Sequence, residues 1–220
     1  MRKFDELYNI AAERHGGVDA FEAQLARPKP KAEIEAIPED RWLAGMTKAV
    51  FNAGFQWRVI EAKWDGFEEA FHGFNVDRCA MMDDAWFDEL VSDTRIVRNA
   101  PKIQTVRDNA VFLSELRAKG GASAVFAGWP PEDYIDLLDL LKREGSRLGG
   151  ASGQYFLRFA GVDSFILARD VVARLIAEGV IDKAPTSKGA MRKVQDAFNV
   201  WRQDSGRSLT EISRVLAMSL

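Results

Sequence analysis

The hydrophobic positions of this chain recur every three or four residues, which is the spacing of an amphipathic helix. Leu137, Leu138, Leu140 and Leu141 give one such stripe, and similar stripes run from near residue 3 to Leu220. No segment alternates apolar and polar residues with turns at hairpin spacing, so nothing in the pattern indicates a strand. The pattern predicts an all-α fold of about ten helices, without an internal repeat.

Glycine and proline residues divide these stripes into three consecutive parts. Gly16 and Gly17 break the first stripe into two short helices, and two prolines make 27–31 a stiff basic linker. Ser208 to Glu211 has capping-box spacing and predicts a last helix. We therefore expect one domain over 1–220, with N-terminal helices at 1–36, a core at 37–180 and a helical extension at 186–220.

A glycine hairpin at 145–153 is the sharpest local feature. Gly145 ends one helix, and Leu148-Gly149-Gly150 forms a turn in which glycine accepts a positive φ without strain. We expect Ser152 to cap the next helix, whose apolar face is Tyr155, Phe156 and Phe159, and a further helix to begin after Ser164. Backbone amides at such a helix start favour a phosphate group.

Composition and charge narrow the class of protein. With 47% hydrophobic residues the chain can bury a core, and its net charge of −3 argues against a histone-like DNA coat. The charge is uneven, since residues 137–220 hold 13 Lys and Arg against 9 Asp and Glu. The hairpin therefore lies in the more basic part. Cys79 is the only cysteine, which excludes an internal disulfide and fits a cytoplasmic protein, and no stretch predicts a membrane span.

Three motifs in order carry a resemblance to a known family. Ala53-Gly54-Phe55-Gln56-Trp57 comes first, then Ile96-Val97-Arg98-Asn99 with Lys102-Ile103, and then the glycine hairpin followed by Val162-Asp163-Ser164. Over about residues 41–170 this order resembles the 3-methyladenine DNA glycosylase I family of the helix-hairpin-helix superfamily. The resemblance implies a two-lobed helical bundle that flips an alkylated purine out of double-stranded DNA and hydrolyses its N-glycosidic bond, without a cofactor.

The resemblance also implies roles for particular residues. Trp57 would stack on the base, where a cationic purine favours an aromatic face by about 0.5–2 kcal/mol. Around it, we expect a pocket that includes Asn52, Phe55, Gln56 and Tyr155. At the hairpin, we expect Arg147, Leu148, Gly149, Gly150 and Ser152 to hold DNA phosphate. A tryptophan of the helical core is the alternative interpretation of Trp57.

Asp163 is the candidate catalytic carboxylate. It would stabilise an oxocarbenium-like sugar or orient a water molecule. The alternative is that Asp163 only caps a helix that starts at Ser164, since aspartate is a favoured capping residue.

The chain departs from the family pattern in three places, one of which is that the family's N-terminal tyrosines, which shape its pocket, have no evident counterparts here. The family has a base-reading glutamate four positions before the alanine of its Ala-Gly-x-x-Trp motif, and Ala49 stands there. The family's zinc ligands have no counterparts, since His15, His72 and Cys79 are the only histidines and cysteine, so we expect no metal. We interpret His72 as a surface or core residue, not as a base.

Two alternative functions remain, the first motivated by these departures and the second by charge. One is a helix-hairpin-helix module that binds DNA or senses damage without chemistry. The other is a helical protein-interaction domain, which the acidic segment 1–136 favours. The sequence leaves the oligomeric state open.

Overall fold

The computed structural model describes all residues from 1 to 220, and it contains only helices and their connections. The predicted all-α class is therefore confirmed, although the structure has fifteen α-helices where we expected about ten. They are α1 Phe4–Arg14, α2 Val18–Glu22, α3 Lys31–Glu35, α4 Glu39–Asn52, α5 Trp57–Ala62, α6 Trp64–Ala70, α7 Val76–Ala80, α8 Asp84–Ser92, α9 Ala100–Leu116, α10 Ala122–Gly128, α11 Tyr134–Glu144, α12 Ala151–Ala160, α13 Arg169–Ala177, α14 Lys188–Ser205 and α15 Leu209–Met218. Short 3₁₀ turns lie at His72–Phe74, Arg117–Lys119 and Pro131–Asp133.

The chain divides into two compact units. Unit 1 comprises Met1–Lys29, Trp129–Leu137 and Gly161–Leu220, and unit 2 comprises Pro30–Gly128 and Leu138–Ala160. Both ends of the chain thus fold into one unit, and the intervening residues form the other. No helix of the protein is long and apolar enough to cross a membrane.

The core of unit 2 forms around α4 because one face of that helix is apolar. Its Trp42 is buried and lies edge-on to Phe126, with ring centroids 4.9 Å apart, and to Phe156 of α12, at 5.8 Å. Phe51, at the other end of α4, meets Phe67 edge-on at 4.7 Å. The hairpin helix α12 therefore packs directly against α4.

The core of unit 1 is an aromatic cluster on α11, α14 and the segment that precedes α13. The ring of Phe165 stacks on Phe198 at 4.4 Å and meets Tyr134 edge-on at 4.7 Å. The predicted capping box of α15 is present, since the Ser208 hydroxyl accepts the Glu211 amide hydrogen and the Glu211 carboxylate accepts the Ser208 amide hydrogen.

Three local predictions around the hairpin are wrong. The helix expected after Ser164 begins only at Arg169, because 164–168 runs as irregular chain. Ser152 does not cap α12, since that helix already begins at Ala151. Only Phe156 of the predicted apolar face is buried, and Tyr155 and Phe159 are exposed.

Candidate functional site

The loop between α4 and α5 holds the first motif. The chain leaves α4 at Asn52, whose carbonyl oxygen accepts the Phe55 amide hydrogen at 3.2 Å, and it turns at Gly54 with φ +77°. α5 then begins at Trp57. The Trp57 side chain is 61% exposed and the Phe55 side chain is 42% exposed. The structure thus excludes the core alternative for Trp57 and leaves two aromatic rings at the surface.

Lys102 of α9 holds this loop in place through two hydrogen bonds to its backbone. Its ammonium group is buried and donates hydrogen bonds to the carbonyl oxygens of Phe51, at 3.0 Å, and Ala53, at 2.6 Å. Carbonyls at a helix C-terminus have no partners within the helix, and the helix dipole favours a cation there. Burial and, to a smaller degree, the charge of Arg147 lower the pKa of Lys102.

The second motif, at residues 96–103, fixes where α9 begins and so positions Lys102. Asn99 caps α9, because its side-chain oxygen accepts the Lys102 amide hydrogen at 3.2 Å, and Pro101 follows in the first turn. This cap fixes where α9 starts and therefore where the Lys102 side chain meets α4. The sequence motif identified Asn99 and Lys102 but not their roles. The hydrogen bonds of Lys102 join residues about fifty positions apart and were not predicted.

The last turns of α4, next to the loop, carry Lys48, Ala49 and Asn52, and the Lys48 ammonium pairs with the Glu61 carboxylate of α5 at 2.7 Å. Ala49 and Asn52 are three residues apart on the helix and so lie on the same face. The amide oxygen of the Asn52 side chain is buried and accepts no hydrogen bond. Gln56 is exposed and its side chain caps nothing.

The glycine hairpin is fastened to the same helix α9. Asn109 is fully buried, and its side-chain oxygen accepts the Ser146 amide hydrogen at 2.8 Å while its side-chain nitrogen donates to the Ser146 carbonyl at 3.2 Å. The neighbouring Asp108 carboxylate accepts a hydrogen bond from the Ser146 hydroxyl at 2.9 Å. One long helix therefore holds both the aromatic loop and the hairpin of unit 2.

The turn of the hairpin is tight. Arg147 adopts a left-handed φ of 57°, and Gly150 has φ 62°. A Cβ at Gly153 would lie 2.3 Å from the Leu148 carbonyl oxygen, so position 153 accepts only glycine. The amide groups from Leu148 to Ser152 donate no hydrogen bond within the chain. Free amides at a helix N-terminus are suited to an anion, as the sequence predicts.

Tyr155 lies on the exposed side of α12. Its ring stacks on the ring of Phe159, at 5.8 Å, and Phe159 is 73% exposed. Tyr155 thus shares unit 2 with Asn52, Phe55, Gln56, Trp57 and the hairpin residues Arg147, Leu148, Gly149, Gly150 and Ser152.

Asp163 belongs to unit 1 and is held by backbone amides. One carboxylate oxygen accepts the Thr210 amide hydrogen at 2.9 Å, and the other accepts the Leu209 amide hydrogen at 3.2 Å. Asp163 therefore helps to cap α15. The predicted cap of a helix starting at Ser164 is wrong, because the helix it caps lies 46 residues further along the chain.

A cleft that the sequence did not suggest lies within unit 2. It has a volume of about 720 Å³, lies among residues 69–95 and is bordered by His72, Arg78, Trp86 and Arg95. None of the predicted site residues borders it. His72 is exposed, its ring lies 5.0 Å from Trp86, and burial together with Arg78 lowers its pKa.

The protein has no cluster of the side chains that usually bind metal ions. No three His, Cys, Asp or Glu side chains lie together in an arrangement that would hold a metal ion. Cys79 is buried, and burial raises the pKa of its thiol to about 12.

Comparison with known protein families gives a match to the middle of the chain. The family "Methyladenine glycosylase" matches residues 39–130. These residues contain both the Ala-Gly-x-x-Trp loop and the start of α9 with Lys102. No curated protein matches the chain.

Three solved structures of 3-methyladenine DNA glycosylase I are similar to the chain. One has 19% sequence identity and a TM-score of 0.48, covering 63% of this chain and 81% of its own. A glutamate-to-glutamine mutant from Staphylococcus aureus has 22% identity and a TM-score of 0.46, covering 62% and 79%. A tyrosine-to-phenylalanine variant in complex with 3-methyladenine has 21% identity and a TM-score of 0.48, covering 70% and 91%.

Proposed function

We propose that the protein is a DNA N-glycosylase acting on an alkylated purine, of the 3-methyladenine type, in double-stranded DNA, because residues 39–130 match the methyladenine glycosylase family. The reaction breaks the bond between the sugar C1′ and the base nitrogen, and the bonding electrons leave with the base. The oxygen of a water molecule bonds to C1′, and the proton that this water loses goes to the departing base or to solvent.

The exposed Trp57 on a fastened loop is the observation that supports this proposal most strongly. A glycosylase must extrude its target base from the duplex before it reaches the glycosidic bond. Stacking on an aromatic side chain recovers about 1–3 kcal/mol per base. Trp57 and Phe55 are exposed and supported by Lys102, so they offer a preorganised stacking surface without prior rearrangement.

The hairpin supplies the expected contact with the DNA backbone. The free amides from Leu148 to Ser152 lie at the N-terminus of the ten-residue helix α12, where the helix dipole adds partial positive charge. Arg147 is exposed and forms no ion pair. We expect these groups, including Gly149 and Gly150, to bind phosphate oxygens.

Asp163 is the proposed catalytic carboxylate of this reaction. Its two oxygens accept backbone amide hydrogen bonds, which fix the position of a carboxylate that would stabilise an oxocarbenium-like sugar. The same hydrogen bonds restrict the carboxylate, because a residue that caps a helix cannot turn freely towards a ligand.

Base release from methylated duplex DNA tests the proposal. Wild-type protein should release methylated purine, and Trp57→Ala should reduce the single-turnover rate by about tenfold or more through lost stacking. Met81→Ala is a matched control, since Met81 is an exposed apolar side chain of the same unit but lies outside the loop and hairpin. Equal rates for wild type and Trp57→Ala would contradict the proposed role of the loop.

A second function has its own supporting observations. Both oxygens of Asp163 accept backbone hydrogen bonds, and Ala49 stands where the resemblance places a base-reading glutamate. Both features fit a DNA-binding module without chemistry. Salt-dependent duplex binding with no base release from any methylated DNA would favour this module.

A further inference from the structure

We propose that the cleft among residues 69–95 binds an arginine-containing segment of a partner protein, and that an arginine of this segment stacks on the ring of Trp86. The cleft lies within unit 2, and its volume of about 720 Å³ is within the range of about 300–1,000 Å³ that is usual for ligand-binding clefts. None of the residues assigned to the base or to DNA phosphate borders it, so the inference does not rest on the proposed function.

Trp86 of α8 provides an aromatic surface that already holds a cation. The Arg78 guanidinium lies 5.7 Å from the centroid of the Trp86 ring, and the centroid of the His72 ring lies 5.0 Å from it. Burial and, to a smaller degree, the charge of Arg78 lower the pKa of His72, so this imidazole is uncharged at neutral pH. Arg78 itself forms no salt bridge, so the ring of Trp86 is what holds its guanidinium in the cleft.

The cleft has more carboxylates than cations around it. Four carboxylates border it against two guanidinium groups, namely Glu69, Asp83, Glu89 and Asp93 against Arg78 and Arg95. Arg95 is already paired, with Asp93 at 2.7 Å and with Glu69 at 3.1 Å. Asp83 and Glu89 form no salt bridge, so two carboxylates are available to a cation from outside the chain.

The arrangement on α8 matches the parts of an arginine side chain. Trp86, Glu89 and Leu90 are three and four residues apart and so lie on one face of the helix. Leu90 is buried and Met81, which also borders the cleft, is 83% exposed, so both offer apolar contact. An arginine can pack its apolar stem on these side chains, stack its planar guanidinium on the indole ring and donate hydrogen bonds to the Glu89 carboxylate.

The wall of the cleft at residues 72–74 is formed before any ligand binds. His72, Gly73 and Phe74 all have left-handed backbone, with φ of 51°, 66° and 58°. Residues with a Cβ rarely adopt this conformation, and such strain is concentrated at ligand-binding and catalytic sites. The Arg41 guanidinium donates a hydrogen bond to the Gly73 carbonyl oxygen at 2.9 Å and so holds the turn. The His72 ring is therefore kept beside Trp86 in the free protein.

The charge of the surrounding surface indicates a basic protein segment and not DNA. Asp84 and Asp88 of α8 are exposed and form no salt bridge, so they add to the negative charge near the cleft. A surface of this sign repels phosphate groups and attracts cationic side chains. A partner bound here would leave the aromatic loop and the hairpin free for DNA.

Titration of the full-length protein with short peptides tests the inference. In the first peptide arginine and alanine alternate, which places the arginines on one side of an extended chain. Two matched peptides carry lysine or glutamate in place of arginine. The indole N–H resonance of Trp86 in a proton–nitrogen correlation NMR spectrum reports binding, and its loss in Trp86→Phe identifies it. We expect the arginine peptide to shift this resonance, the lysine peptide to bind about threefold more weakly, and the glutamate peptide not to bind.

Substitutions in the cleft should change the affinity in opposite directions. Arg78→Gln should strengthen binding of the arginine peptide by about threefold, because it removes the guanidinium that competes for the ring and repels the ligand. Asp83→Asn combined with Glu89→Gln should weaken it by about fivefold, and asparagine keeps the cap of α8. Asp5→Asn combined with Glu13→Gln is the control, since it removes the same charge from exposed positions on α1 of unit 1 and should leave the affinity unchanged.

An unshifted Trp86 resonance with the arginine peptide would overturn the inference, and so would equal weakening by the cleft and the α1 variants or unchanged binding in Arg78→Gln. Self-association of the protein without peptide, abolished by Asp83→Asn with Glu89→Gln, would identify a second copy as the occupant and overturn the assignment to a partner. Parallel assays of base release separate the two proposals. Peptide binding without base release would overturn only the enzymatic function, and base release without peptide binding would overturn only this inference.

Discussion

The same sequence resemblance pointed to the Trp57 loop and to Asp163, but their side chains have different environments in the structure. Lys102 donates hydrogen bonds to the backbone of the loop, and the aromatic side chains of Phe55 and Trp57 remain exposed. Asp163 is itself a structural contact, since its carboxylate caps α15. The difference shows that a motif residue is most available to a ligand when another residue holds its backbone in place.

The largest effect on the loop is expected when its support by Lys102 is removed. Lys102→Met should lower the free energy of unfolding by about 2–3 kcal/mol, because the carbonyls of Phe51 and Ala53 lose a charged donor. Denaturant unfolding measures this loss. Lys142→Met, at an exposed position, is the control and should change stability by less than about 0.5 kcal/mol. Equal stability of both variants would show that Lys102 does not fasten the loop.

Asn109 should stabilise the hairpin in the way that Lys102 stabilises the loop. Asn109→Ala removes both hydrogen bonds to Ser146 and should cost about 2 kcal/mol, because buried backbone groups lose their partners. Hydrogen exchange of the Ser146 amide should accelerate in this variant. Unchanged protection at Ser146 would contradict the account of the hairpin.

Substitutions at Asp163 distinguish its capping role from its charge. Asp163→Ala should lower stability by about 1 kcal/mol through loss of the cap, while Asp163→Asn should cost only a few tenths, since asparagine also accepts an amide hydrogen bond. Thermal unfolding measures both. A loss in Asp163→Asn as large as that in Asp163→Ala would mean that the ionised carboxylate, not the hydrogen bond, stabilises α15.

A smaller effect concerns acid stability in the unit that contains Asp163. The Arg207 guanidinium, followed by the Tyr8 hydroxyl, lowers the pKa of Glu22 from 4.5 to about 2. Because this pKa is lower in the folded state, its stabilisation is full above about pH 4.5 and is lost as the pH falls towards 2. Partial exposure reduces the effect to about 1 kcal/mol. Between about pH 4.5 and 2, the free energy of unfolding should fall less steeply with pH in Glu22→Gln than in wild type. An equally steep fall in both proteins would contradict this.

The sequence predicted the parts of the fold and site that depend on local pattern. Helical spacing identified the all-α class, the glycine hairpin and the capping box at Ser208, because the residues that determine these features are neighbours along the chain. The motif around Trp57 likewise identified a loop whose tryptophan is exposed.

The sequence did not predict the contacts between distant segments. Lys102 reaches carbonyls 49 and 51 residues away, Asn109 reaches Ser146 across 37 residues, and Asp163 caps a helix 46 residues further on. No local spacing encodes these pairings, which arise only when the helices pack. For the same reason, the position of the Lys102 ammonium beside the Phe55 ring follows from the structure alone.

Single-turnover base release by Trp57→Ala and Asp163→Asn, measured side by side on one methylated duplex, tests the central claim most directly. If the Trp57 loop binds the extruded base, as we propose, Trp57→Ala should lose about tenfold or more in rate and in discrimination between damaged and intact duplex. Asp163→Asn should keep its discrimination for the damaged site and lose only rate. Full discrimination in Trp57→Ala, with discrimination lost in Asp163→Asn, would contradict the account and move the base-binding site away from the loop.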